Sequence, residues 1–164
     1  MNKMTPVAAL VLIISLAGEA YASEFLKSLE GSWRGSGEIR QFGANKPTER
    51  TVCKITSEYS EKTGELKTKG RCGTVSGSGR INGRLQQSPD SKVVVGNFIG
   101  RDANSNLKGT LSGQQVTLRG PGPKNTAQQL NLVLKGKSQL SIELEIKGSD
   151  PAKNGFSKIS LKRQ

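Results

Sequence analysis

The sequence predicts an all-β fold: an antiparallel up-and-down β-barrel of eight to ten strands, with a short N-terminal helix and one disulfide. From Gly31 onward, short segments alternate apolar and polar residues, and turn-forming residues interrupt them about every ten positions. No later segment has a helical period, so neighbouring strands should pair antiparallel. Glycines recur inside the strands, and a small barrel needs them to coil and close. A β-sandwich is the alternative architecture.

The first 22 residues have the features of a secretory signal peptide. Lys3 precedes the apolar run 6–17, and Ala20-Tyr21-Ala22 forms a small-residue cleavage motif before Ser23. The run is shorter than the roughly 20 residues that a membrane span requires. We therefore expect removal of residues 1–22, a single barrel domain over 23–164, and a periplasmic or secreted location. Lys3 and Glu19 leave together, so the net charge of +12 does not change.

A short helix is predicted at the start of the mature chain, over Glu24 to Glu30. Ser23 is suited to cap its N-terminus, and Gly31 to end it. Phe25, Leu26 and Leu29 would lie on one side of this helix.

Ten segments after the helix have the pattern of β-strands. They are Gly31 to Phe42, Arg50 to Tyr59, Glu65 to Val75, Gly79 to Gln86, Lys92 to Ile99, Leu107 to Leu111, Gln115 to Arg119, Gln128 to Lys135, Gln139 to Lys147 and Phe156 to Arg163.

The two cysteines lie in neighbouring predicted strands joined by a tight turn, 61–64, with Gly64 in its last position. A turn centred on Lys62 and Thr63 places Cys53 directly opposite Cys72, within the Cα separation of a disulfide. An even number of cysteines in an exported chain favours oxidation. No CXXC motif is present, so we expect a structural Cys53–Cys72 disulfide.

The other face of this hairpin is basic. Lys67, Lys69 and Arg71 alternate with the residues of the cysteine face, and the same register places Lys54 opposite Arg71. Like charges in directly opposite positions repel each other. Lys54, Lys69 and Arg71, the basic patch, are therefore a candidate anion-binding site. The alternative is a solvated strand face that is polar to discourage edge pairing.

The last two predicted strands should pair through their apolar faces. One register pairs Leu144 with Ile159 and Ile142 with Leu161, and it places Arg163 on the inner face opposite Leu140. It also sets Glu145 against Lys158. A register shifted by two residues also keeps apolar residues together.

The composition excludes most catalytic and metal-binding classes. The chain has no histidine and two cysteines, which argues against ordinary zinc, haem or copper sites and against Ser-His-Asp or Cys-His catalysis. Its few aromatic residues are scattered, so nucleic-acid binding is not expected. We predict a monomeric, non-enzymatic binding protein without metal or cofactor. Its net charge of +12 favours an anionic or amphipathic component of the cell envelope as ligand.

The helix followed by Gly31-Ser32-Trp33 resembles the G-x-W motif of lipocalins and, more loosely, of avidin-like barrels. In lipocalins this Trp closes the barrel end beneath a basic residue of the last strand. The resemblance therefore implies that Trp33 and Arg163 form a barrel-end plug. Avidin uses several Trp residues to bind biotin, whereas this chain has one.

A second resemblance is to small secreted bacterial inhibitors of metalloproteases, which are also lipocalin-like barrels. The shared features are the leucine-rich turn Leu26 to Leu29, the G-x-W motif and an early cysteine pair. In that family the segment before the barrel enters the protease cleft. The resemblance implies an alternative function, inhibition of a secreted protease, with Ser23, Glu24 and Phe25 in the inhibitory arm.

Overall fold

The computed structural model describes residues 20–43, 47–88, 91–99 and 104–164. They form one short helix, ten β-strands and two single 3-10 turns at Pro123–Asn125 and Pro151–Lys153. The helix is α1 (Ala20–Ser28), and the strands are β1 (Gly31–Arg40), β2 (Thr48–Ser60), β3 (Glu65–Thr74), β4 (Gly77–Gln87), β5 (Val93–Ile99), β6 (Asn104–Ser112), β7 (Gln115–Pro121), β8 (Ala127–Lys135), β9 (Gln139–Lys147) and β10 (Gly155–Arg163).

The strands form a closed barrel in which each pairs antiparallel with the next and β1 pairs with β10. This confirms the predicted up-and-down barrel and excludes the sandwich. Side chains alternate between a leucine-rich interior and a polar outer wall, as the burial of alternate residues along β2 and β8 shows. Closure gives every strand of the described barrel a hydrogen-bonded neighbour on each side.

Helix α1 begins earlier and ends earlier than predicted. It spans Ala20–Ser28, so Ser23 lies inside it rather than capping it. Leu29 and Glu30 form a tight turn after it, with their amides donating to the carbonyls of Leu26 and Lys27. Residues 1–19 of the predicted signal peptide lie outside the described residues, and the predicted cleavage point after Ala22 falls within α1.

The register of the β2–β3 hairpin is as predicted. Cys53 lies opposite Cys72, and Lys54 lies opposite Arg71. The amide of Gly64 closes the turn by donating to the carbonyl of Ser60 at 2.8 Å, and its φ of +63° is one that glycine adopts without strain.

The predicted register of β9 and β10 is wrong by two residues. Ile159 pairs with Ile142 rather than Leu144, and Leu161 pairs with Leu140. Lys158 consequently lies opposite Glu143, not Glu145. The apolar pattern could not distinguish the two registers, because a shift of two residues leaves every side chain on its own face.

Two interior glycines make room for a phenylalanine. A Cβ on Gly83 would lie 2.7 Å from the Phe98 ring, and one on Gly96 would lie 2.8 Å from it. Gly35 has a different role, since a Cβ there would collide with the backbone carbonyl of Ser160 on β10. Glycine on β1 thus permits the close approach of the first and last strands.

No helix in the described ranges is long and apolar enough to cross a membrane.

Candidate functional site

One end of the barrel is closed by α1 and Trp33. The Trp33 side chain is fully buried, and its indole Nε1 donates to the carbonyl of Leu29 at 2.9 Å. Leu26 and Leu29 are also buried in the core. Only the turn of Leu29 and Glu30 separates α1 from the G-x-W motif, so the chain that leaves the helix places Trp33 in the barrel end.

Arg163 lies over the Trp33 ring, with its Cζ 4.2 Å from the ring centroid. Its guanidinium Nη2 donates to the carbonyl of Ser28 at 2.6 Å, and Nη1 donates to the carbonyl of Glu30. Its Nε donates to the carbonyl of Lys137 at 2.9 Å. One cation therefore covers the indole and also satisfies carbonyls that the end of α1 leaves without helical partners.

The three residues of the predicted inhibitory arm lie in α1. Glu24 is exposed, whereas Phe25 is 3% exposed and packs in the core. The side chain of Ser23 lies outside the described residues. As an inhibitory residue, Phe25 would first have to leave the barrel end.

Cys53 and Cys72 form a disulfide between β2 and β3, with their Sγ atoms 1.96 Å apart and their Cα atoms 4.1 Å apart. Cys53 is fully buried. Thr51, two residues before it on β2, donates a hydrogen bond from Oγ1 to the carbonyl of Gly73 on β3 at 3.2 Å. Cys72 is partly buried against the same core, and burial of this kind is typical of structural disulfides.

The inside of the barrel has polar groups that bond to each other. Ser57 and Thr68 share a hydrogen bond of 3.0 Å, and Ser105 donates to Gln128 at 3.0 Å. Within the described ranges, no group of three His, Cys, Asp or Glu side chains could hold a metal ion.

A small cleft lies at the barrel end opposite α1. Its volume is about 110 Å³, less than the roughly 300–1,000 Å³ of typical small-molecule sites. It is lined by Ile39, Gln41, Pro47, Glu49 and Ser76.

The basic patch lies on the outer wall. Lys54 of β2 is directly opposite Arg71 of β3, and Lys69 of β3 is opposite Thr56. All three cations are exposed. Among the described residues none of the three forms an ion pair, since the four salt bridges of this part of the chain involve other lysines.

Three further cations lie beside the basic patch in the barrel, and the sequence analysis did not predict their position there. Arg34 of β1 lies opposite Lys54, Arg80 of β4 lies opposite Arg71, and Lys162 of β10 lies opposite Arg34. The result is one cation on each of five consecutive strands, which we call the cationic row: Lys162, Arg34, Lys54, Arg71 and Arg80. All five are exposed.

Comparison with solved structures identifies the fold. The M. tuberculosis protein Rv2717c matches 89% of this chain and 99% of its own, with a TM-score of 0.67 and 18% sequence identity. The S-type phycobiliprotein lyase CPES from Guillardia theta matches 90% of this chain and 94% of its own, with a TM-score of 0.57 and 12% identity.

The chain has a calycin-like barrel fold. No protein-family model matches its sequence, and no curated protein does either. At these identities the likeness shows the fold alone, and the function of this calycin-like barrel depends on its own residues.

Proposed function

We propose that this protein is an exported, non-enzymatic binding protein whose basic patch binds an anionic component of the cell envelope. The predicted signal peptide supports export, and so does a disulfide of structural type, because such bonds persist in oxidising compartments.

The pairing of Lys54 with Arg71 carries the proposal. Directly opposite residues in a sheet have Cβ atoms about 4.5–5.5 Å apart, and like charges at that distance destabilise the pair. Both side chains are exposed on the outer wall, with Lys69 on the same face. A bound anion would remove the repulsion, so binding and relief of strain act together.

The simpler interpretation, a solvated face that prevents edge pairing, is less suited to a closed barrel. Both β2 and β3 have hydrogen-bonded neighbours on each side, so neither presents an edge that charge would need to protect.

Retention on immobilised heparin and on lipopolysaccharide tests the proposal. We expect retention of the native protein to weaken as salt rises, and to weaken further in a triple variant with Lys54, Lys69 and Arg71 changed to Ala. The matched control changes Lys62, Lys92 and Lys135 to Ala, which removes the same charge from exposed positions outside the patch. Equal losses in the two triple variants would contradict a localised site.

A further inference from the structure

We infer that the ligand of the basic patch is a linear acidic polysaccharide that crosses the strands along the whole cationic row. This inference rests on the proposed function. It specifies the chemical class of the ligand and the direction in which the ligand runs, across the strands.

The row has a regular spacing, because each cation is the direct cross-strand partner of the next. Neighbouring strands lie about 4.7–4.9 Å apart, so the Cα atoms of the five residues span roughly 19 Å. This spacing is similar to the length of one sugar unit in a polysaccharide. A chain with one acidic group on each sugar can therefore match the row charge for charge.

The row has little competition from acidic side chains of the protein. The rows on either side contain no carboxylate; one holds Ser160, Ser36, Val52, Gly73 and Ser78, and the other holds Ser32, Thr56, Lys69 and Asn82. On the outer face of β1 and β2 the acids are Glu38 and Glu58, each four residues along its strand from the row, or about 13 Å. Glu49 of β2 alternates with the outward residues and lies on the other face of the strand. Among the described residues, no cation of the row has an ion-pair partner.

The flanking residues favour a sugar chain over a nucleic acid. Six of them carry a hydroxyl or amide that can hydrogen-bond to sugar hydroxyls: Ser160, Ser36, Ser78, Ser32, Thr56 and Asn82. No aromatic residue stands in the row or its two flanking rows. Binding sites for single-stranded nucleic acid depend on aromatic side chains that stack with the bases.

The curvature of the wall favours a flexible chain over a membrane. Strands of a barrel tilt by about 35–45°, so a row across five of ten strands follows a spiral that turns roughly a quarter of the way round. A flat membrane could contact the middle of such a convex row but not the cations at its two ends. A polymer can bend to follow it.

Oligogalacturonates of two to eight units, which carry one carboxylate on each sugar, test this inference by calorimetric titration. We expect affinity to increase with length up to about five units and to change little beyond that, because five cations are available. The salt dependence of binding should steepen with length over the same range, since each added contact releases a counterion.

Variants at the two ends of the row provide the sharper test. We expect Lys162→Ala and Arg80→Ala each to weaken binding of the longer oligomers about threefold, as the loss of one exposed charge contact should, and to leave binding of the two-unit oligomer unchanged. Lys158→Ala is the matched control. It removes an outward lysine from the same strand as Lys162, opposite Glu143 and Glu38 rather than in the row.

The other outcomes separate this inference from the proposed function. Binding that depends on the basic patch but not on oligomer length or on the row ends would overturn the polysaccharide row alone. Binding to vesicles of phosphatidylglycerol, or to a single-stranded oligonucleotide of equal charge, more tightly than to the oligosaccharide would overturn the ligand class. Failure to bind heparin, lipopolysaccharide, oligogalacturonates and anionic vesicles alike would refute both proposals.

Discussion

Arg163 joins three separate parts of the chain at the closed end of the barrel. Its side chain stacks on Trp33 and donates to carbonyls of Ser28, Glu30 and Lys137. Arg163→Ala should lower the free energy of unfolding by about 2–4 kcal/mol, because it removes a partly buried cation–π contact and leaves carbonyls without partners. Urea unfolding followed by the fluorescence of Trp33, the single tryptophan of the chain, measures this loss.

Arg163→Lys is the informative companion variant. Lysine keeps the charge but not the planar fork that reaches several carbonyls, so we expect an intermediate loss. If the Arg163→Lys variant were as stable as the native protein, the charge of Arg163 alone would account for its contribution to stability.

Only part of the environment of Arg163 could be predicted from the sequence. The lipocalin resemblance implies that Arg163 lies over Trp33, and the two do lie together. The bonds to Ser28 and Glu30 could not be predicted, because they depend on where α1 ends, and the sequence pattern placed that end two residues too late.

At the scale of strands, Phe98 of β5 packs against Gly83 of β4 and fills space inside the barrel. Gly83→Ala would place a Cβ 2.7 Å from the ring and should destabilise the fold by about 1–3 kcal/mol. In a Phe98→Ala background the same change should cost much less, since the colliding ring is absent. Thermal unfolding of the four proteins in this cycle measures the coupling.

Gly35→Ala is the control for the double-mutant cycle of Gly83 and Phe98. Its Cβ would meet the backbone of Ser160 rather than a side chain, so Phe98→Ala should not rescue it. If Phe98→Ala also reduced the destabilisation caused by Gly35→Ala, the coupling between Gly83 and Phe98 would reflect a general change in barrel packing rather than their contact.

Helix α1 is tied to the β2–β3 turn by an ion pair whose strength should depend on pH. Lys27 Nζ lies 2.5 Å from a carboxylate oxygen of Glu61. The hydrogen bond and charge of Lys27 lower the pKa of Glu61 from its ordinary value of 4.5. The pair therefore stabilises the folded protein above the ordinary pKa, and that stability is lost as pH falls through the lowered one.

Both groups are exposed, so we expect a small effect. Thermal unfolding between pH 6 and pH 3 should show a slightly steeper loss of stability in the native protein than in Glu61→Gln. Identical pH profiles would mean that the pair does not contribute in solution.

The two hairpins show why some registers are predictable and others are not. Between Cys53 and Cys72 the turn is four residues long and the cysteines must meet, so one register satisfies both conditions. Between β9 and β10 the loop is longer and contains the 3-10 turn Pro151–Lys153, so turn geometry does not fix the pairing. The apolar alternation then leaves the choice open by two residues.

At the scale of the whole molecule, the cationic row should make stability depend on salt. Each cation lies next to another of the same sign, and salt screens this repulsion because the Debye length falls below about 10 Å above roughly 0.1 M. We expect the Tm to rise with sodium chloride. Arg71→Gln should raise the Tm at low salt by about 2–4 °C and make the salt dependence shallower, because Arg71 has Lys54 and Arg80 as direct neighbours.

Lys135→Gln is the control for this prediction. It removes the same charge from an exposed position opposite Gln139, and its Tm should stay close to that of the native protein. A similar increase in both variants would indicate a response to net charge rather than to the row.

The row as a whole could not be predicted from the sequence. Alternation in β3 and a short turn were enough to bring Lys54 and Arg71 together. Arg34, Arg80 and Lys162 join them only through three further strand pairings. One of these, between β1 and β10, links residues at opposite ends of the domain, and no local pattern encodes the register of such distant strands.

The pairing of β1 with β10 also has a consequence during synthesis. Because β10 is the last of the ten strands to leave the ribosome, β1 has no second neighbour and the barrel cannot close until β10 has emerged. Contacts between such distant segments also form slowly. A nascent chain of this topology therefore stays open until β10 has been made, and an open chain is the state that a secretion channel needs if the predicted signal peptide directs it there.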